Sequence, residues 1–276
     1  MNAAFDLATL APLAAAMLGT GVAAGIMAGL LGVGGGIVIV PVLFHILTGM
    51  GVEEGLRMHM AVGTSLATII PTSISSAHSH WKRGGVDTAL LRSWGVPIFL
   101  GVLLGAAISL VVSGQVLTGV FAAVALVVAA NMALRPDGWT VRESLPTGAA
   151  KYGLGGLIGT FSTLMGIGGG TLSVPILSAC NFPIRRAVGT ASAIGLIIAV
   201  PGAASFVWNG LNAADLPPFS LGYVNLLGFT LIVPATVLAA PLGAKIAHAI
   251  PTGLLRKAFA LFLFVTALRM IYELAV

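Results

Sequence analysis

Apolar residues fill this chain in long runs, and polar residues collect in the short gaps between them. Ala8 to Leu31 is long enough for a membrane-spanning helix, which needs about 20 apolar residues. Ile37 to Leu47 is equally apolar but too short to cross, and reads as a half-helix or re-entrant piece. A polar gap with Glu53, Glu54, Arg57 and His59 follows. Ala61 to His80 reads as a helix rich in hydroxyls, and Trp81 to Gly85 as an interfacial loop. Leu90 to Val112 and Val116 to Leu134 read as spanning helices joined by a tight turn at Ser113-Gly114-Gln115. Arg135 to Pro146 is the one substantial polar stretch. Beyond it, Ala149 to Met165 and the short Leu172 to Cys180 restart the same plan. The runs do not alternate with period two, which argues against a β-barrel.

The restart is a repeat. Gly32-Val33-Gly34-Gly35-Gly36 returns as Gly166-Ile167-Gly168-Gly169-Gly170, and Pro41 returns as Pro175; both spacings are 134 positions (32 to 166, 41 to 175). Ala61-Val62-Gly63-Thr64 returns as Ala187-Val188-Gly189-Thr190, with Gly243-Ala244 matching Gly105-Ala106 further on. Landmarks kept in order mark an internal duplication. The expected architecture is an all-α polytopic membrane protein of two inverted repeats with about eight to ten segments in total. Each repeat is expected to hold a glycine-broken short half-helix and three spanning helices. Residues 1–134 form the first repeat, 135–147 a cytoplasmic linker and 148–276 the second.

Composition agrees: of 276 residues 58% are hydrophobic and 8% charged, against about 25% charged in soluble domains. The partner this implies is the lipid bilayer, and the net charge of +5 reports topology rather than nucleic-acid binding. Lys82, Arg83, Arg92, Arg135, Arg142, Lys151, Arg185, Arg186, Lys245, Arg256 and Lys257 fall on one face, taken as cytoplasmic. Asp6, Glu53, Glu54, Asp215 and Glu273 fall on the other, with Arg57 and Arg269. Both termini are then extracytoplasmic. Corresponding loops of the halves have opposite charge, as an inverted repeat requires. Met1 to Thr9 holds Asp6 and no basic residue, unlike a cleaved signal peptide. The single Cys180 allows no intramolecular disulfide and reads as a small apolar filler.

Candidate chemistry centres on the glycines. A helix starting after a glycine turn offers unpaired N–H groups and a partial charge of roughly +0.5, suited to an anion. Gly34, Gly35 and Gly36 with Gly168, Gly169, Gly170 and Thr171 are therefore expected to bind a small anionic substrate. The competing reading is close helix packing, which better suits Gly21, Gly25, Gly29, Gly101 and Gly105. A dinucleotide fingerprint fails because Ile37 stands where its last glycine belongs. Thr64 and Thr190, matched between the halves, are expected to add hydroxyl donors. Thr64, Thr68, Thr72, Ser76 and His80 share one helix face, and read either as a polar path or as hydroxyls bonded back to their own helix. Arg57, His59, Arg185 and Arg186 precede those helices, and read either as a funnel for an anion or as topology-setting charges. No acidic residue lies within a span, which argues against cation transport and carboxylate-based coupling. No catalytic constellation, metal site or cofactor motif is expected, and His78 and His80 do not share a face.

The G-x-G-G-G turn followed by an apolar stretch with proline, the downstream A-x-G-T and the near-complete duplication resemble the TauE/SafE family of sulfite exporters. The matching positions are Gly32, Gly34 to Gly36, Pro41, Gly63 and Thr64, then Gly166, Gly168 to Gly170, Pro175, Gly189 and Thr190. The halves depart from one another before A-x-G-T, where Arg57 and His59 face Arg185 and Arg186. The resemblance implies a secondary transporter of sulfite, thiosulfate or organosulfonates such as sulfoacetate, in a bacterial inner membrane, working by alternating access about a midplane site. A channel-like anion facilitator and a non-transporting accessory subunit are the alternatives. The anion, coupling ion, direction and oligomeric state are left open by the sequence.

Overall fold

The computed structural model describes residues 7–134, 140–247, 249 and 251–275. Asp6, Arg135 to residue 139, and the Arg256 side chain lie outside the described residues. Ten helices follow in order: α1 Leu7–Leu31, α2 Gly36–Gly49, α3 Glu54–Trp81, α4 Thr88–Ser109, α5 Gly114–Leu134, α6 Gly148–Met165, α7 Gly170–Ala179, α8 Ile184–Gly210, α9 Leu226–Ile246 and α10 Thr252–Ala275. A small antiparallel hairpin, β1 Ser220–Leu221 and β2 Val224–Asn225, precedes α9. This is an all-α polytopic membrane protein. Among the described residues, five helices are long and apolar enough to cross a bilayer: α1, α4, α5, α8 and α9. Their outer faces carry exposed Leu104, Val127, Val200 and Leu238, which lipid rather than water can solvate.

The two short helices are the expected half-helices. α1 ends at Gly32, where φ is +68°, and α2 starts from Gly35 at φ +82°, a left-handed conformation suited to glycine. α6 ends on Gly166 in the same left-handed region, and its N–H returns to Ser162 and Thr163 carbonyls. The two glycine turns lie against each other in antiparallel sense. A methyl group at Gly168 would fall 2.5 Å from Val33 O and 3.2 Å from Gly34 Cα. Gly36 abuts the Gly166 carbonyl and Gly170 abuts the Gly32 carbonyl. Contacts 32 with 170, 34 with 168 and 36 with 166 relate the two copies by a local twofold through Gly34 and Gly168.

α3 and α8 cross on the same twofold. Phe206 lies at Gly63, Leu66 at Gly202, and Ser76 Oγ is 3.0 Å from Ser192 Oγ, so the helices run antiparallel. The halves are interleaved. α1 packs on α9, and its counterpart α6 packs on α4, the counterpart of α9. Small residues make both contacts: Gly21, Gly25 and Gly29 face Ala235, Ala239 and Gly243, while Gly101 and Gly105 face Gly156 and Thr160. Backbones approach closely there, which is how helices associate where burial from water contributes nothing. α5 and α10 complete the symmetric pairs.

Gly36→Ala would drive a methyl group into the Gly166 carbonyl, whereas a methyl on Gly153 of α6 meets nothing within 4 Å. Gly36→Ala should lower stability in detergent by about 1–3 kcal/mol, the usual cost of overpacking. Gly153→Ala should be neutral or stabilising by up to about 1 kcal/mol. Thermal unfolding of the two purified variants checks this pair.

Candidate anion site at the crossed glycine turns

Both half-helices begin inside the protein, with Gly34, Gly35, Gly36, Gly168, Gly169 and Gly170 all buried. In α2 the first helical N–H donors to find a carbonyl are Val38 and Ile39, both on Gly35 O. In α7 the first is Ser173, on Gly169 O at 2.8 Å. The N–H groups of Gly36 and Ile37, and of Gly170, Thr171 and Leu172, have no partner among the described residues. These are the orphan donors of two helix starts, withdrawn from water and meeting at one crossing.

The second turn adds hydroxyls. Thr171 Oγ1 and Ser173 Oγ on α7, and Ser162 Oγ at the end of α6, are buried with no hydrogen-bond partner. Thr171 is 2% exposed and Ser173 0%. Their counterparts 134 positions earlier are Ala28, Ile37 and Ile39. The donors are therefore concentrated on the α7 side. Ser65 Oγ of α3 reaches the same place and donates to Gly166 O at 2.7 Å.

The glycines themselves serve the crossing. Valine at Gly35 would meet Ala24 O at 2.7 Å with φ at +82°, and valine at Gly169 would meet Ile194 Cγ2 at 2.5 Å. Substitution at either glycine thus breaks packing before it can report on a ligand.

Thr64 and Thr190 are not brought together. Thr64 Oγ1 accepts from Asn225 N–H at 2.8 Å, and Asn225 in turn caps α9 by accepting from Gly228 N–H at 2.8 Å. Thr190 Oγ1 accepts from Asp87 N–H at 2.9 Å, and Asp87 caps α4 through Leu90 N–H at 2.9 Å. Because α3 and α8 are antiparallel, Thr190 lies beside the His80 end of α3, sixteen residues from Thr64. That is roughly 24 Å at about 1.5 Å per residue. One small anion cannot touch both, so the expectation of a shared site for the pair is corrected. Each threonine ties the cap of a helix in the other half.

Arg57, Arg185 and Arg186 lie in the first turns of α3 and α8 and His59 in the second turn of α3, rather than before these helices. Glu53 and Pro183 stand at the N-cap positions, neither with a side-chain capping bond. Arg57 Nε donates to Val52 O at 2.6 Å. His59 Nδ1 lies 3.1 Å from Gly55 O, and its ring packs on Tyr223 at 5.1 Å. Burial pushes the Tyr223 phenol up from its ordinary value, so it stays neutral. Arg186 pairs with Asp87 at 2.8 Å and stacks over Phe182. Arg185 is exposed.

A family model described as sulfite exporter TauE/SafE matches residues 17–270. The chain belongs to the TauE/SafE sulfite exporter family. It is 35% identical over 252 residues to a probable membrane transporter protein of Haemophilus influenzae, covering 91% of this chain and 95% of that one. A probable membrane transporter protein of Methanocaldococcus jannaschii is 26% identical over 86% of this chain and 84% of its own. One of Bacillus subtilis is 26% identical over 92% and 95%. No solved structure matches the chain. Family and relatives together make this a multi-pass membrane transporter.

In this TauE/SafE protein the hydroxyl stripe of α3 is buried rather than lining an open path. Thr72 Oγ1 donates back to Thr68 O at 2.8 Å and Thr68 Oγ1 to Ser65 O at 2.7 Å. Ser76 Oγ donates to Ala28 O at 3.2 Å and His80 Nε2 to Gly29 O at 2.9 Å. His80 thereby pairs the Gly29 carbonyl near the interior end of α1, where no water is at hand, while the Ala28 carbonyl that Ser76 reaches also accepts from Gly32 N–H at 2.9 Å. Ser65, Ser162 and Ser173 were not singled out from the sequence. Their one signal there is position, each lying within a turn of a landmark residue.

Thr64→Val strands the buried Asn225 N–H, and Thr190→Val the half-buried Asp87 N–H. Each should cost about 1–3 kcal/mol of stability, measured by thermal unfolding in detergent. Unchanged stability in both would remove the capping role.

Proposed function

We propose that this TauE/SafE protein is a secondary transporter that exports a small sulfur oxyanion across a bacterial inner membrane. Sulfite, thiosulfate and organosulfonates such as sulfoacetate are the candidate substrates. The observation that carries this reading is the set of unpaired N–H groups at two buried helix starts, joined by the unpartnered hydroxyl of Thr171. Neutral, preorganised donors suit an anion that must bind and leave, since a fixed basic side chain would hold it more strongly. The family description and the names of the relatives support transport. The twofold arrangement supports alternating access: two inverted repeats exchange roles about the crossing, opening α2 and α7 in turn.

Thr171→Val keeps the side-chain shape and removes only the hydroxyl. Binding of sulfite to purified protein should weaken by about 1 kcal/mol, roughly fivefold in Kd. Stability without ligand should be unchanged or higher, because the hydroxyl has no partner to lose. Saturable sulfite efflux from proteoliposomes should fall in parallel. Wild-type affinity in Thr171→Val would remove this residue, and with it the α7 start, from the site.

The same reading sets the linker in the cytoplasm and both termini outside. A cysteine at exposed Ser144, in a Cys180→Ser background, should escape an impermeant maleimide in intact cells and react after permeabilisation. Labelling in intact cells would reverse the orientation.

A further inference from the structure

Each half-helix leaves a cleft against the fifth helix of the opposite half. The cleft beside α7, between α5 and α6, has a volume of about 280 Å³ and purely apolar walls such as Val124, Val128, Leu172 and Ile176. Its counterpart, between α2 and α10, has about 370 Å³ and carries ionisable groups. His45 Nδ1 of α2 donates to Glu273 Oε1 of α10 at 3.0 Å, with both side chains about a quarter exposed (23% and 24%). Arg269, one turn back along α10, lines the same cavity and makes no hydrogen bond or ion pair among the described residues. Val42, Ile46 and Met50 form the apolar wall at four-residue spacing along α2.

The fold does not require these charges. His45 corresponds to Ala179 of α7 at the spacing of 134 positions, and α7 keeps its place without them. An arginine that merely extends to the membrane surface also needs no histidine opposite it. Arg57, the other cation near this end of α2, is turned away onto Val52 O. Among the described residues the cleft therefore presents Arg269, which makes no ion pair, and His45, on whose ring the Glu273 carboxylate is held.

We propose that the α2–α10 cleft binds an oxyanionic group between Arg269 and His45, and that Glu273 is its internal stand-in. The incoming oxyanion takes the His45 N–H from the Glu273 carboxylate and gains the guanidinium of Arg269, which presents paired donors to such a group. The apolar wall accepts a hydrocarbon portion. The group is either a free small oxyanion on its way to the crossing or the phosphate of an anionic lipid. Both share this chemistry, and the site is separate from the glycine turns.

Calorimetric titration of full-length protein in detergent with sulfate, sulfite and inorganic phosphate tests the free ion. Native mass spectrometry of protein in nanodiscs with and without phosphatidylglycerol tests the lipid. Arg269→Gln should weaken binding of the responding probe at least about tenfold, as expected for a hydrogen-bonded charge. His45→Gln should act in the same direction, and Glu273→Gln should tighten binding by removing the competing carboxylate. Thr171→Val should leave this binding unchanged, which separates it from the central site. Arg269 is exposed and unpaired, so its variant should fold normally. A response confined to phosphatidylglycerol assigns the cleft to lipid, and a response in detergent assigns it to the free ion. Equal affinity of wild type and Arg269→Gln for all of these probes would overturn the proposal.

Discussion

Two helices of this protein stop inside it, and everything else is arranged to make that tolerable. A helix end leaves backbone groups unpaired, and in lipid no water is at hand to pair them. The protein meets this by laying the two glycine turns on one another, so that carbonyls of each turn lie against the α-carbons of the other. Side chains at Gly34, Gly36, Gly168 or Gly170 would hold the turns apart. α3 runs past the crossing and adds side-chain donors: Ser65 to Gly166 O, His80 to Gly29 O, and Ser76 as a second donor to Ala28 O beside Gly32 N–H. The polarity of α3, out of place in a membrane helix, follows from where α1 and α6 end.

The scaffold is symmetric and its chemistry is not. Helix pairing, the glycine crossing and the caps on α4 and α9 all repeat about one local axis. The side chains near that axis do not. Thr171 and Ser173 stand where the first half has Ile37 and Ile39, and His45 stands where the second has Ala179. Duplication supplied two equivalent helix starts, and substitution has differentiated them. A ligand at the proposed site would meet backbone donors from both halves, but the unpartnered hydroxyls at the turns, Ser162, Thr171 and Ser173, all come from the second half. Under the alternating access proposed above, such asymmetry would make the two states unequal, since a ligand shifts an equilibrium only by its differential affinity.

The membrane class, the half-helices and the spacing of 134 positions were legible because each is local: an apolar run, a glycine cluster and a counted offset. The interleaving was not, because no periodicity in α1 says that its Gly21, Gly25 and Gly29 meet α9 rather than a helix of its own half. Thr64 and Thr190 show the same limit. Equivalent positions in an inverted repeat coincide in space only near the axis, and elsewhere they move apart in proportion to their distance from it. Gly34 and Gly168 lie on the axis and touch, while the two threonines, equally matched in sequence, sit at opposite ends of the α3–α8 pair. The hairpin Ser220–Asn225 escaped notice because a two-residue strand has no pattern to detect.

That distinction decides which residues can act together. Near the axis, a residue and its repeat mate can bind one ligand, and the candidates reduce to the glycine turns and the first turns of α2 and α7. Far from it, repeat mates perform the same task twice at separate places. The threonine caps do this for α9 and α4, and each fastens one half to the other where the turns themselves cannot reach. These bonds tie α3 to the cap of α9 and α8 to the cap of α4. If the protein works by the alternating access proposed above, the units that rock would be cross-paired helices from both repeats, and the sequence boundary between the repeats would not mark the hinge.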